Sequence, residues 1–404
     1  MFTAVAGTRS VVVDNGDTSA VATGGESVLD ASMTGGMALS VSSMRLIGSR
    51  VVLDDWALSV GVLTIETSNC SIVRSAGSVA MADVVSVTSS FVTSSNDLSV
   101  SNTGTLNMSS TIWHAHGTLT SAELVTLSSA SSLWMHHMSH VSRLEIVDSG
   151  SSVRAIDGVV LLEIGSGLIR GKVYGSNVTL ICAGDLALEG GDVQADGTGE
   201  AAGSGVGRGL LPNQTLYWSS PPYRLGGMGG AHGGRGGHGA AYNDASLSDA
   251  ILALPSVHYD DLVSPSLAGS GGSSGMYCSH ASYCPVSPGV RSGGAGGGVL
   301  SIEVTGVLSL ASASTIISAN GANGESGLYS NPHRYSGGGG GSGGSIKIVA
   351  GSVAGSGQIL ADGGVGGNMY SGGGVCGGGG GGGRISVSVA TSLAPTVTLR
   401  AAGG

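Results

Sequence analysis

Two tryptophan–histidine motifs carry the clearest chemical signal in the 404-residue chain, Trp113-His114-Ala115-His116 and Trp134-Met135-His136-His137. The second motif starts twenty-one positions after the first, so strands stacked in that register would place Trp113 beside Trp134 and His116 beside His137. Two positions apart on one strand, His114 and His116 would share a face at about 6.6 Å. Imidazole suits zinc and other borderline metal ions, so the pattern predicts a metal site at His114, His116 and His137. The alternative is a ladder of rings that only packs, because no acidic or cysteine fourth ligand lies nearby.

A second histidine pattern places a large side chain at every third residue of a glycine tract, at His232, Arg235 and His238. This period fits an extended glycine strand with three residues per turn and a rise of about 3.1 Å per residue. Successive side chains would then lie roughly 9 Å apart, too far for one ion. The pattern predicts a glycine strand that packs on its neighbours and has an outward basic edge.

Covalent modification is predicted at two places. Cys278 and Cys284 lie six positions apart in a stretch rich in Ser, Tyr and Pro, and either form a disulfide in an oxidising compartment or remain two unpaired thiols. The chain holds five cysteines, and Cys70, Cys182 and Cys376 are predicted to be packing residues. Asn213 starts an Asn-Gln-Thr sequon in a predicted loop and is the expected glycosylation site if the protein is secreted.

The composition argues against several functional classes. Carboxylates do not recur at the spacing that a β-helical polysaccharide hydrolase or lyase would need, so we predict that the protein is not an enzyme and has no cofactor. The net charge is −10, and the 16 Lys and Arg residues form no basic stripe, which excludes a nucleic-acid partner. No apolar stretch approaches the roughly 18 residues of a membrane span, so no membrane insertion is expected within this segment.

The C-terminal part repeats one unit, which has a glycine tract, then a short apolar run, then a closing motif of apolar-x-Ala-polar-Gly type. The closing alanines are Ala319, Ala361 and Ala401, spaced forty-two and forty positions apart, and Val193-Gln194-Ala195-Asp196-Gly197 is an earlier copy of the motif. Such a period indicates a solenoid or an array.

Residues 1–197 carry a looser repeat of β-type runs, such as those at Leu106, Val125 and Ile146, which recur every twenty or so positions. A step of this length is one coil of a parallel β-helix, and the C-terminal units would then hold two coils each. The predicted fold is therefore all-β, a right-handed parallel β-helix (solenoid), with its hand taken from strand-crossover chirality. Residues 1–197 form these short coils, 198–292 form a long loop insertion rich in Gly, Pro and Ser, and 293–404 form glycine-rich coils that continue the solenoid.

The C-terminal half resembles a known group of proteins. The motifs are the glycine-rich stretch 226–237, Tyr335-Ser336-Gly337, Tyr370-Ser371-Gly372, and the segments 341–348 and 380–387. Together they resemble the glycine-rich β-helical region of large cell-surface proteins of plants and protists, over roughly residues 180–404. The resemblance implies a multi-domain protein that is secreted or membrane-anchored, and it brings no catalytic residues.

These observations lead to one functional prediction with two alternatives. The chain is expected to be a non-catalytic structural or adhesive segment of a longer extracellular or cell-surface protein, whose loops, chiefly 198–292, meet a surface protein or a glycan. The N-terminus lacks a signal-peptide pattern, so either the chain is not secreted or it is a piece of a longer protein. The repetitive ends, with Gly404 closing a unit and no capping segment, favour a fragment. The alternatives are a carbohydrate-binding or carbohydrate-active β-helix, and an ice- or surface-binding solenoid that would need a flat threonine ladder or a bundle of glycine helices.

Overall fold

The protein is described by a computed structural model, and its described residues are all-β. They contain no helix, and so none long and apolar enough to cross a membrane. The described residues are 10–14, 27–30, 39–47, 50–54, 58–66, 69–73, 79–88, 90–94, 98–100, 104–210, 223–242, 257–278, 291–327, 329–330, 333–334, 336–369 and 375–404.

Apolar residues alternate with Ser and Thr along most of the strands, as expected of strands with one buried face. The strands of the first half are β1 (Ser10–Asp14), β2 (Ser27–Asp30), β3 (Leu39–Ile47), β4 (Arg50–Asp54), β5 (Leu58–Glu66), β6 (Asn69–Val73), β7 (Val79–Thr88), β8 (Phe91–Ser94), β9 (Leu98–Val100), β10 (Thr105–Ser109), β11 (Ile112–Ser128), β12 (Ser132–Ile146), β13 (Ser152–Ala155), β14 (Val159–Ile169), β15 (Lys172–Tyr174), β16 (Asn177–Cys182), β17 (Leu186–Leu188) and β18 (Asp192–Gln194). Those of the second half are β19 (Tyr223–Leu225), β20 (Ala241–Tyr242), β21 (Met276–Cys278), β22 (Val299–Leu310), β23 (Ile316–Ser318), β24 (Tyr329–Ser330), β25 (His333–Arg334), β26 (Ser345–Gly355), β27 (Gln358–Leu360), β28 (Arg384–Leu393) and β29 (Thr398–Arg400).

Parallel ladders join most of these strands into one 24-stranded sheet. One ladder runs β2–β4–β6–β8–β11–β12–β13–β15–β18–β23–β27–β29, and each strand pairs in parallel with the next. Apart from β1, which pairs with β3 thirty-three positions on, equivalent residues of the first half lie about one predicted repeat apart. Leu106 pairs with Val125, nineteen positions on, and Leu144 pairs with Gly167, twenty-three positions on. The predicted spacing of the strands is confirmed there.

The core is a set of columns in which apolar residues of successive strands lie above one another. One column holds residues that are at most 1% exposed: Val92, Trp113, Leu133, Val153, Val173, Val193, Ile317 and Ile359. Because a single layer of such side chains buries little apolar surface by itself, each strand depends on its neighbours in the column.

The C-terminal units differ from the prediction of two coils each. Ile317 pairs directly with Ile359, and Ile359 pairs with Leu399, so one whole unit adds only one strand to this ladder. The equivalence of the closing motifs is confirmed, since Ala319 N–H donates to Leu360 O and Ala361 N–H to Arg400 O. The rest of each unit leaves the core as an extended glycine strand.

These glycine strands pack beside the ladders in a layer that we call the glycine array. It comprises residues 198–209, 226–240, 269–275, 292–298, 319–327, 336–344, 361–369 and 375–383. Within the tract 338–344, successive backbone N–H groups donate to three different neighbouring strands in turn, as a backbone with three residues per turn requires. The pairs are Gly338–Glu325, Gly341–Ala322 and Gly344–Ala319 with the first strand, Gly339–Ser273 and Ser342–Ser270 with the second, and Gly340–Gly378 and Gly343–Gly381 with the third.

Most described residues of segment 198–292, namely 198–209, 226–240 and 269–275, belong to this array. Gly227 N–H donates to Gly337 O and Gly230 N–H to Gly340 O, each at 2.9 Å. Serine hydroxyls also link the strands, because Ser273 Oγ accepts from Met228 N–H and Ser342 Oγ from Ser270 N–H. Hydrogen bonds therefore join residues on both sides of the predicted boundary at residue 292.

Candidate functional site

Neighbouring side chains of the first tryptophan–histidine motif point to opposite faces of β11. Trp113 points into the core, fully buried, and its Nε1–H donates to Ser94 Oγ at 3.0 Å. Its neighbour His114 points outward and pairs in register with Thr93 below and Trp134 above. The pairing step from β11 to β12 is therefore twenty positions at this point, one fewer than predicted. Because side chains alternate between the two faces of a strand, a difference of one residue in register moves a side chain to the opposite face.

The predicted metal site at His114, His116 and His137 is wrong for this reason. The β11–β12 register shifts between Ala115 and Thr118, and His137 lies opposite Thr118 rather than His116. The Nε2 of His137 instead lies 3.3 Å from a carboxylate oxygen of Glu163. Among the residues that the structure describes, no group of three or more His, Cys, Asp or Glu side chains could hold a metal ion.

His114 belongs to a different arrangement, which we call the aromatic column: Phe91, His114, Trp134, Arg154 and Tyr174. The last four pair in register along β11, β12, β13 and β15, and Phe91 lies diagonally below His114. Ring centroids are 5.3 Å apart between Phe91 and His114 and between His114 and Trp134. The Arg154 guanidinium carbon lies 5.2 Å from the Trp134 ring and 5.1 Å from the Tyr174 ring, within cation–π range on both sides.

Partial burial favours the neutral form of His114. Partial burial, aided by the neighbouring charge of His116, lowers the pKa of His114 below 6.5. Arg154 is thus the permanent charge of the column, and its Nε–H donates to Ser152 Oγ at 3.2 Å. A stacked column of this kind can bind a ring or an anion, but it contains no pair of groups arranged for proton transfer to a nucleophile.

A second cluster, the Asp260 cluster, comprises His232, Tyr259, Asp260 and Ser345. His232 is fully buried, so the predicted outward basic edge holds for the exposed Arg235 and is wrong for His232. The His232 Nδ1 lies 2.9 Å from Gly343 O and its Nε2 3.2 Å from Asp260 Oδ2. The reason is that the strand packs inside the array, where segment 257–267 covers it.

The Asp260 carboxylate holds segment 257–267 in place. It accepts hydrogen bonds from the backbone N–H groups of Asp261, Ser266 and Leu267, and from the hydroxyl of Ser345 at 2.8 Å. Burial alone would raise the pKa of Asp260, but these donors hold it below 3.8. The Ser345 hydroxyl also lies 2.6 Å from Leu267 O, so its single proton is shared between that carbonyl and Asp260. It forms no hydrogen bond with His232, so the cluster lacks the serine–histidine pair of a hydrolase.

We predict that the Asp260 cluster makes the protein sensitive to acid. Burial lowers the pKa of His232 below 6.5, although its bonds to Gly343 and Asp260 oppose the shift and Arg384 adds to it. The unfolded chain then binds more protons than the folded one just below pH 6.5, so the free energy of unfolding should fall as the pH falls through that range. Asp260 adds a further loss below pH 3.8.

Urea unfolding between pH 7.5 and 5 measures this effect. His232→Gln should show a smaller drop in midpoint than the parent protein over this range. Arg235→Gln, which removes a charge from the same strand outside the Asp260 cluster, should keep the parent's pH dependence. Equal slopes for the parent and His232→Gln would contradict the assignment.

One open cleft of about 300 Å³ lies elsewhere on the ladder surface, next to His140 and Glu163. Its walls are mainly apolar, and Glu163 already contacts His137. It therefore provides no evident catalytic pair.

The two predicted modifications cannot be placed. Asn213, Cys284 and the side chain of Cys278 lie outside the described residues. Cys182 is buried and Cys376 half-buried, and both are free thiols, consistent with the packing role predicted for them.

The fold and its surface define a class: an all-β protein with parallel ladders, a stacked aromatic column and a hydrogen-bonded glycine array. No family model, no curated protein and no solved structure matches the chain.

Proposed function

We propose that the chain is a right-handed parallel β-helix in which each repeat is one coil. Support comes from the registers, which keep one apolar column continuous from Val92 to Ile359. Parallel strands joined by crossovers take the right hand almost without exception. In the C-terminal coils, the connection between successive strands passes through the glycine array.

We further propose that this β-helix is a non-catalytic, adhesive segment of a larger extracellular or cell-surface protein. The observation that supports adhesion most directly is segment 257–267, which presents Leu262 and Val263 to solvent at 75% and 79% exposure. Isolated apolar side chains are common on surfaces, but here two neighbours lie at the tip of a fixed segment.

The segment is held from below by polar contacts. Besides the Asp260 cluster, Arg384 Nε–H donates to Tyr259 O, Ser386 Oγ–H to Val263 O, and Lys347 Nζ to Ser264 Oγ. Tyr259 donates to Ala268 O at 2.6 Å, and burial raises its pKa to about 12, so the phenol stays protonated. A pre-ordered apolar tip loses little entropy on binding, which favours contact with a partner protein at another surface.

Adhesion can be tested on intact cells that make the full-length protein. An antibody against this segment should label the cells without permeabilisation. Cells carrying Leu262→Ser together with Val263→Ser should attach to their substrate about fivefold less, because buried apolar anchors dominate interface energies. The control is Val365→Ser, which changes another exposed apolar side chain, 57% exposed, on the glycine array.

Labelling only after permeabilisation would refute the surface location. Equal attachment of cells with the double variant and with Val365→Ser would refute the adhesive role of the segment.

A further inference from the structure

The aromatic column holds one half-buried cation between two of its rings. Arg154 lies between the Trp134 and Tyr174 rings, and one of its N–H groups donates to Ser152. No carboxylate lies within ion-pair distance of its guanidinium in the described parts of the chain, whereas Arg143 and Arg170 both have glutamate partners. The terminal N–H groups of Arg154 therefore keep the planar fork that binds a carboxylate in bidentate fashion.

Apolar surface lies directly beside this cation. Phe91 and Ile112 are 40% and 44% exposed and lie opposite each other in the β8–β11 register, and Ile112 lies one strand step below the strand of Trp134. Consecutive strands lie about 4.8 Å apart, so Phe91, Ile112, Trp134 and Arg154 form a strip that spans several steps along the stack. An extended ligand lying along the stack would meet apolar faces first and the guanidinium next.

Lys172 adds a weaker positive charge beside Tyr174, at the end of the strip where Arg154 lies. Its Nζ lies 5.7 Å from the Tyr174 ring centroid and 3.9 Å from Asp192 Oδ2, so Asp192 already neutralises part of it. Burial raises the pKa of Asp192, which the charge of Lys172 opposes. Arg154 is therefore the main anion-binding group of the strip.

We propose that this strip binds an acidic polysaccharide, with a uronate carboxylate on the Arg154 fork and sugar rings against Phe91, Ile112 and Trp134. This inference goes beyond adhesion through segment 257–267, and it rests on the proposed surface location, where such glycans occur. A polymer with alternating ring faces and carboxylates matches the alternation of rings and a cation along the strip. Single-stranded nucleic acid is the competing polyanion, because bases also stack on rings beside an arginine, and an oligonucleotide is therefore one arm of the test.

Isothermal titration with polygalacturonate tests the proposal on the purified chain, and fully methyl-esterified polygalacturonate is the uncharged probe. The parent protein should bind the acid form and not the ester. Arg154→Gln should weaken binding about tenfold, equivalent to the loss of one charge-assisted hydrogen-bonded pair. Trp134→Ala should weaken it by a similar factor, since it removes the partly exposed edge of the indole and one side of the guanidinium's support.

The matched control is Arg143→Gln, which removes the same kind of charge from the strand that carries Trp134, β12. Arg143 forms an ion pair with Glu145 and lies in register with Ser166 of β14, away from the strip. The affinity of this variant for polygalacturonate should stay within about twofold of the parent's. Circular dichroism of each variant checks that it is folded.

Three outcomes would overturn the proposal: no binding of the acid form, equal losses for Arg154→Gln and Arg143→Gln, or a single-stranded oligonucleotide that binds more tightly than polygalacturonate through Arg154. Surface labelling of cells together with no binding of polygalacturonate would reject this inference and leave the adhesive function standing. Binding of polygalacturonate by a protein labelled only inside cells would reject the proposed function instead.

Discussion

Replacing Gly340 with alanine is expected to destabilise the protein by about 3 kcal/mol or more, the upper range for forcing atoms into a packed interior. Gly340 lies in the middle of the glycine array. Its N–H donates to Gly378 O, and its own carbonyl accepts from Gly230 N–H, each at 2.9 Å. A Cβ at this position would lie 1.9 Å from Gly364 O and 2.6 Å from its carbonyl carbon.

The clash cannot be relieved by a side-chain rotation, because the atoms it meets belong to the backbone of a neighbouring strand. Gly364 is itself fixed, since its N–H donates to Gly341 O and its carbonyl accepts from Gly380 N–H. The strands must therefore separate, and hydrogen bonds to more than one neighbour weaken together. Urea unfolding followed by circular dichroism gives the loss as a shift of the midpoint at constant slope.

Gly403→Ala is the matched control for this prediction. The nearest atom to a Cβ on Gly403 is Gly380 O at 3.5 Å, an ordinary contact. That variant should stay within about 0.5 kcal/mol of the parent. Similar midpoints for the two variants would mean that the glycine strands are not packed as the structure describes.

The ladder architecture could be predicted from the sequence because apolar side chains mark it. The closing motifs around Ala319 and Ala361 pair with each other, and the runs that contain Leu300, Ile346 and Ile385 lie in one column, as their spacing indicated. The period of three in the glycine tracts could also be predicted, because one tract carries a large side chain at every third position. In each of these cases a side chain recurs at a fixed distance along the chain.

The connections within the array could not be predicted in the same way. A glycine has no side chain to select one neighbour over another, so the sequence does not say which tract lies beside which. The C-terminal unit was divided into two coils because its length is twice the N-terminal repeat. Where the structure describes it, the glycine half of the unit contains no second apolar column and forms hydrogen bonds outside the ladder instead.

The candidate site shows how sensitive such predictions are to register. Trp113 and Trp134 are twenty-one positions apart, but the pairing step is twenty, and this difference of one places the two rings on opposite faces of the sheet. The aromatic column was missed because its cation, Arg154, has no histidine or tryptophan motif around it in the sequence. Counting one pairing step of twenty on from Trp134 would have found Arg154, and a second such step would have found Tyr174.

Replacing Trp113 with alanine should be as damaging as any single core change, with a loss of about 3–5 kcal/mol. Trp113 is the largest fully buried side chain among the described residues, lies between Val92 and Leu133 in its column, and donates to the buried Ser94 hydroxyl. The substitution leaves a cavity that two strands cannot close without breaking their ladder, and it removes the partner of Ser94 Oγ. Trp113→Phe fills most of the cavity and should lose less than Trp113→Ala, chiefly through the missing hydrogen bond.

Trp134→Ala is the decisive comparison, because it deletes the same side chain from the neighbouring strand. Trp134 faces outward between His114 and Arg154, so its removal forfeits ring and cation contacts worth about 1 kcal/mol and opens no cavity. The shift of the urea midpoint from the parent's value should therefore be severalfold larger for Trp113→Ala than for Trp134→Ala. If both tryptophans lay on one face, as a pairing step equal to their separation requires, the two shifts would be similar, and the column that holds Arg154 would not exist.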